Sequence, residues 1–317
     1  MKNKTFKTLD EQIKILEAKN LVIDDYDYVK NILLRENYFF VSGYRHLFVK
    51  SPIEKNYIEN TNFRELYAMF YFDRQLRNIL FKNILIVENN IKSILSYIMS
   101  KNHGFKEQNY LNPNNFVKDS KRNKQVNDLL KKMHRQIRVN GKQHAATSHY
   151  INNYGYIPLW VVVKVLSFGI VGELYTILKI EDQEEIADVF NVTVSDLLDF
   201  LPILANYRNL CAHEDILFEN KTQRMIDNTI YHSLLEIDKT DGEYIYGKND
   251  LFALIIIMKQ LLKHNEFNDM MLEIEHNLEN LDYNLKVIPL EKVLDRMGFP
   301  INWKELRTIR KEVEDEN

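Results

Sequence analysis

The 317-residue chain has one cysteine, six prolines and nine glycines. A lone cysteine, Cys211, excludes an internal disulfide framework and fits a cytosolic setting. So few helix breakers favour long helices over many short strands. No apolar run is long enough to span a bilayer. The most apolar stretch, LFALIIIMKQLL at 251–262, is twelve residues long and includes Lys259 and Gln260, so it reads as a buried helix. The first twenty residues are charged throughout, which is not the pattern of a secretory signal. Three chemical signatures are also missing. There is no glycine-rich phosphate loop, no Cys/His spacing of the zinc-binding kind and no serine-centred nucleophile elbow. No metal and no cofactor is therefore expected.

Hydrophobic residues make up 45% of the chain, with 18 Tyr and 17 Phe, so it can bury a substantial core. The net charge of −3 argues against a general nucleic-acid binder, but the average hides an asymmetry. Residues 61–140 carry fifteen Lys/Arg against six Asp/Glu, whereas 141–220 carry four against eleven. Within the basic quarter, 118–142 holds nine Lys/Arg, two acids and no Phe, Tyr or Trp. Lys121, Arg122, Lys124, Lys131, Lys132, Arg135 and Arg138 there are either a solvated helix face or a strip that grips RNA phosphates.

Patterning points to an all-α fold. Residues 8–20 form a short helix, and Asp24 or Asp25 caps a second one through about Asn37. The aromatic cluster Tyr38, Phe39, Phe40, Tyr44 and Phe48 reads as packing. In 61–101 the apolar positions step by three and four from Phe63 through Ile98, with Thr61 or Asn62 as the cap. Asp73 and Arg77 interrupt that stripe four residues apart, and Glu88 follows Val87. They form either buried ion pairs or a polar floor beneath a site. Residues 102–117 read as a loop. Pro158 starts a helix that Ser167–Gly169 interrupts, 221–285 adds two or three helices, and 297–306 is a turn with a small terminal helix. Three segments follow from this: 1–60 packing on the core, a central helical domain at 61–285, and a tail at 286–317.

The segment ILANYRNLCAHEDILFEN, 203–220, concentrates the chemistry. Read as a helix over 201–214, it turns Ile203, Tyr207 and Leu210 to the core. Asn209 and His213, four apart, share a flank. Arg208 is five residues from His213, about 140° around the helix. One straight helix does not easily aim both at one atom, whereas a kinked helix could, and so could two copies facing across a two-fold axis. Small Cys211 and Ala212 permit that approach. RNA cleavage needs a base that titrates near neutrality to deprotonate a 2′-hydroxyl, and imidazole does so. It also needs a fixed cation beside the developing charge on phosphorus, which guanidinium supplies in bidentate form. Ordinary structural hydrogen bonding is the alternative for a pattern this short.

The RNLCAH hexapeptide resembles the Arg-Asn-x-x-x-His signature of HEPN-type ribonuclease domains. Further blocks, in order, resemble the bacterial abortive-infection Abi-like family of AbiD and AbiF type. They are LVIDDYDYVKNILLRENYFFVSGYRHLF, FRELYAMFYFDRQLRNILFKNILIVENNIKSIL, PLWVVVKVLSFGIVGELY, YRNLCAHEDILFEN and, near the C-terminus, MGFPINW. The resemblance implies a HEPN-like helical bundle with added N- and C-terminal helices, phage-defence biology and a metal-independent ribonuclease. It maps Arg208 and His213 onto the catalytic pair and Asn209 onto the polar residue after the Arg. One motif per chain implies a homodimer with a composite site. Similarity to the RNA-guided ribonucleases of CRISPR type VI systems adds a small non-coding RNA as a partner. The alternative is therefore a non-catalytic RNA-binding protein. Glu214 and Asp215 depart from the family, where many relatives carry an Arg after the His; their charge opposes phosphate binding.

Overall fold

The computed structural model describes residues 5–51, 53–119, 121–141 and 143–309. Fifteen α-helices lie among them, and the fold is all-α. The N-terminal part holds α1 (Leu9–Glu17), α2 (Tyr26–Glu36) and α3 (Tyr38–Ser42), followed by a 3-10 turn at Gly43–Leu47. The long α4 (Phe63–His103) leads to α5 (Glu107–Tyr110), α6 (Asn123–Asn140), α7 (Ala145–Tyr154), α8 (Leu159–Val165), α9 (Phe168–Ile177) and α10 (Ile180–Asp188). Then come α11 (Val194–His213), α12 (Ile230–Leu234), α13 (Leu251–Leu261), α14 (His264–Asn284) and α15 (Leu290–Met297). A two-residue hairpin, β1 (Lys239–Thr240) with β2 (Glu243–Tyr244), turns through Asp241 and Gly242, both at positive φ.

The 41-residue α4, about 60 Å long at 1.5 Å per residue, is the spine. It starts at Asn62, whose side chain accepts from the Arg64 amide while Glu65 Oε1 accepts from the Asn62 amide. Glu65 Oε2 also accepts from the amides of Lys286 and Val287, tying the start of α4 to the α14–α15 connection. Helices α8, α10, α11 and α14 pack along it. Its stripe is buried as the periodicity requires, with Ile94 only partly so. Helix α13 is buried at every position from Leu251 to Met258, as expected for the 251–262 run. Among the described residues, no helix is long and apolar enough to cross a membrane.

Several boundaries differ from the sequence expectation. The 102–117 segment contains α5 and a 3-10 turn at Pro113–Asn115. Helix α11 begins seven residues before 201, at a capping box between Thr193 and Asp196. It runs through Pro202, which cannot donate to the Leu198 carbonyl. Arg224 Nη1 donates to that oxygen instead, at 2.6 Å, so the orphaned acceptor is satisfied from outside the helix. The aromatic cluster divides. Tyr44 and Phe48 are core, whereas Phe39 and Phe40 are 74% and 51% exposed.

The MGFPINW block has a structural reason. Gly298 closes α15 at φ +74, and a β-carbon there would fall 2.2 Å from the Asp250 carboxylate. Asp250 caps α13 by accepting from the Ala253 amide, and it also accepts from the Gly247 amide. Burial pushes its pKa up to about 6, against the pull of those amides. A carboxyl raised in the folded state binds its proton more tightly there than in the unfolded chain. Its stabilising contribution is therefore complete below about pH 4 and lost as the pH rises through about 6. The wild type minus Asp250→Asn stability difference should fall between those pH values and level off above, measured by urea unfolding. A difference independent of pH would refute the raised pKa.

Candidate functional site

The last two turns of α11 carry the motif. On one side Ile203 and Tyr207 are buried, Leu210 is partly buried and Tyr207 donates its hydroxyl to the Asn220 carbonyl. The opposite side exposes Pro202, Asn206, Asn209 and His213, which recur at offsets of four, seven and eleven. Ala212 is also exposed. Cys211 is not, which corrects the expectation that both small residues lie on an approachable face. Its thiol is buried, and burial pushes it up to about 12.

Arg208 lies on a third flank, toward α4. Its Nε is 3.5 Å from Glu88 Oε2, and its guanidinium lies 5.7 Å from the centre of the Phe81 ring. Glu88 is buried and accepts from Lys92 Nζ at 2.6 Å through its other oxygen. One carboxylate thus holds two cations, and Lys92, one turn beyond Glu88 on α4, belongs with the set that the sequence reading assembled. The i,i+4 spacing was the available signal. Arg208 remains 36% exposed at its side chain, and none of its guanidinium nitrogens has a hydrogen-bond partner among the described residues. The same holds for Asn209 and His213. No hydrogen bond or ion pair joins Arg208 to His213 within the chain.

Helix α11 ends in a left-handed residue. Glu214 sits at φ +57, and the Asp215 amide donates back to the Leu210 carbonyl. The following turn is pinned by the pair that interrupts the α4 stripe. Asp73 Oδ2 accepts from Tyr44 Oη at 2.7 Å, from Arg77 Nη1 and from the Leu217 amide; Oδ1 accepts from the Phe218 amide at 2.9 Å. Arg77 donates onward to the Asp215 carbonyl at 3.1 Å. Burial pushes the Asp73 carboxyl upward, and Arg77 with the other donors opposes it. Asp73 and Arg77 are thus a buried ion pair that also holds the chain immediately beyond His213. The 43–47 turn adds to this clamp. His46 Nε2 is 2.8 Å from Glu219 Oε2, and its ring stacks on Phe218.

The basic strip lies on α6, which buries Val126, Leu129, Leu130 and Met133 against α8 and α9. Lys121, Arg122, Lys124, Lys131, Lys132, Arg135 and Arg138 are all exposed. Two of these are engaged by α9: Lys132 with Glu173 at 2.7 Å and Arg122 with the Thr176 carbonyl. Lys124, Lys131, Arg135 and Arg138 form one stripe at steps of seven, four and three, and among the described residues only Lys131 has a partner, Asp128 at 3.6 Å. Ser120 and Lys142, within the 118–142 strip, lie outside the described residues. Among the described residues, no group of three or more His, Cys, Asp and Glu side chains is arranged to hold a metal ion.

A family model described as Abi-like protein matches residues 31–219, from the middle of α2 through the turn that follows the motif. The chain belongs to the Abi-like protein family. Membership connects it with abortive infection, a form of phage defence. The matched region of this Abi-like protein contains Asp73, Arg77, Glu88, the α6 strip and the whole of α11. Neither a curated protein nor a solved structure matches the chain.

Proposed function

We propose that this Abi-like protein is a metal-independent endoribonuclease of phage defence. It works in the cytoplasm, with a HEPN-type site completed when two copies bring their α11 ends together. One observation carries the reading. Glu88 pairs by charge with Arg208 at Nε, 3.5 Å away, and leaves its terminal nitrogens uncommitted, while Asn209 and His213 stand exposed on the same two turns without a hydrogen-bond partner among the described residues. An anchored guanidinium with a free fork suits a phosphate.

In the reaction His213 takes the proton of a ribose 2′-hydroxyl. The 2′-oxygen then forms a bond to the adjacent phosphorus, and the phosphorus–5′-oxygen bond breaks. The leaving oxygen takes up a proton. Arg208 stabilises the charge on the non-bridging oxygens, and Asn209 orients the imidazole or the phosphate. The separation of Arg208 from His213 around α11, and the exposure of Ala212, support a second copy as the complement. The products should carry 2′,3′-cyclic phosphate and 5′-hydroxyl ends, and cleavage should persist in excess chelator. Loss with EDTA and recovery with Mg²⁺ would refute this mechanism. A monomer by light scattering at concentrations that cleave RNA would refute the composite site.

The exposed α6 stripe favours a second reading, a non-catalytic RNA-binding protein associated with a small non-coding RNA. Both readings expect the stripe to contact phosphates. Single-stranded RNA affinity should fall with salt at a log–log slope of about 0.7 per phosphate contacted. Replacing Lys124, Arg135 and Arg138 together with alanine should flatten that slope by about two units. Lys132→Ala alone should change it little, because Glu173 already neutralises that cation. An unchanged slope in the triple variant would return α6 to an ordinary solvated face.

A further inference from the structure

A cleft of about 690 Å³ opens beside the motif, and neither the catalytic proposal nor the α6 strip uses it. It is lined by the end of α2, by α3, by the 43–47 turn, by Phe70, Arg74 and Arg77 of α4, and by Glu214, Asp215 and Ile216, the three residues directly after His213. Gly43 sets the width there, since a β-carbon would fall 3.0 Å from Ile216 Cδ1. The volume lies within the range of about 300–1,000 Å³ usual for small-ligand sites.

Its lining is unusual for a solvated surface. Phe39 and Phe40 are exposed, with their rings 5.8 Å apart at 69°. They are exposed for a geometric reason: α3 spends its one buried position on Val41, and neighbouring residues on a helix point about 100° apart. Four arginines also line the cleft. Arg74 is committed to Glu36 through two hydrogen bonds, and Arg77 to Asp73. Arg35 and Arg45 are exposed and have no ion-pair partner among the described residues. Arg45 also belongs to a group of like charges with Lys19 and Lys55. Burial, then those two neighbours, push the Lys19 ammonium below its ordinary range. Uncompensated cations in close company favour an anion. The acids Glu214 and Asp215, which also line the cleft, repel one, so the phosphates fall to Arg35 and Arg45, the two lining arginines without an ion pair among the described residues.

We propose that this cleft holds an unstacked nucleobase of single-stranded RNA against Phe39 and Phe40, with Arg35 and Arg45 on the flanking phosphates. The inference rests on RNA being the ligand of the 208–213 site, and it adds where the strand lies as it reaches His213. Aromatic side chains reach only a base freed from its stack, and cations beside them follow the backbone. A duplex offers neither base face.

The test uses the full chain carrying His213→Ala, so that binding is read without cleavage. The probe is a short oligoribonucleotide of mixed sequence containing 2-aminopurine, single-stranded or annealed to its complement. Binding should raise the fluorescence of the single-stranded probe, because stacking on neighbouring bases quenches 2-aminopurine and the cleft takes the base out of that stack. Phe39→Ala/Phe40→Ala should abolish the rise and weaken affinity about tenfold, while Phe39→Tyr/Phe40→Tyr retains the affinity. Arg35→Ala/Arg45→Ala should flatten the salt slope by about 1.4. Unaltered circular dichroism melting identifies variants that are folded, as expected for exposed positions. An unchanged fluorescence rise and affinity in the double alanine variant would overturn the proposal, as would a duplex bound equally well. Loss of self-association at constant RNA affinity would instead assign the surface to a second copy. The two ideas fail separately. If His213→Ala leaves cleavage intact but the phenylalanine variant loses RNA, the nuclease site is wrong and the cleft stands; the reverse pattern removes the cleft alone.

Discussion

Replacing His213 with alanine should lower RNA cleavage by about 10²–10⁴-fold, the usual contribution of a positioned general base. It should leave the fold intact. The side chain is exposed at the end of α11 and has no partner among the described residues, so its removal breaks nothing that stabilises the helix. Growth after induced expression is the cellular readout, and cleavage of a labelled RNA the direct one. A variant as active as wild type would end the catalytic assignment. Arg208→Lys should be impaired nearly as much, because an ammonium lacks the planar fork. It should also shift the contact with Glu88, which now shares its charge between Lys92 and Arg208. RNA affinity should survive both substitutions if α6 supplies most phosphate contacts. Affinity abolished by His213→Ala alone would mean that the motif is the main binding surface.

The second large effect concerns stability. Asp73→Asn should destabilise the protein by about 3–5 kcal/mol, because it leaves the Arg77 guanidinium buried without its counter-charge. It also puts an amide nitrogen where a carboxylate accepts from Tyr44, Arg77 and the amides of Leu217 and Phe218. Thermal unfolding should show a fall in Tm of about 5–8 °C. Adding Arg77→Met should recover part of the loss, since replacing both members of a buried pair costs less than stranding one. An unchanged Tm for Asp73→Asn would show that this carboxylate does not pin the 215–218 turn. Asp73 acts on the site by position only. It touches neither Arg208 nor His213, and it holds the chain that leaves them.

Much of this was legible in the sequence because it depends on local chemistry. Three-and-four spacing of apolar residues specifies α4, and the candidate caps at 61–62 and 24–25 bracket the starts of α4 and α2, where the structure selects Asn62 and Asp25, since a cap satisfies amides within its own first turn. The polar interruption at Asp73 and Arg77 and the grouping of Arg208, Asn209 and His213 were equally visible, because both lie within two turns of one helix. What the chain does far from its own neighbourhood was not. Nothing local shows that Arg224 answers the carbonyl freed by Pro202, which lets α11 start at Val194. Periodicity alone would have put Cys211 with the core, since Ile203, Tyr207 and Cys211 step by four, and turned Ala212 away from it.

The aromatic cluster was the clearest limit. Tyr44 enters the core to reach Asp73, 29 residues away in sequence, while Val41 takes the one buried position of α3 and leaves Phe39 and Phe40 on the surface. Composition assigned helices, a basic face and a candidate motif, because propensity, patterning and charge are properties of short segments. The tertiary structure alone decided which flank of α11 is exposed, which carboxylate holds Arg208 and which arginines stay unpaired. Each of those depends on which distant side chain fills the space first.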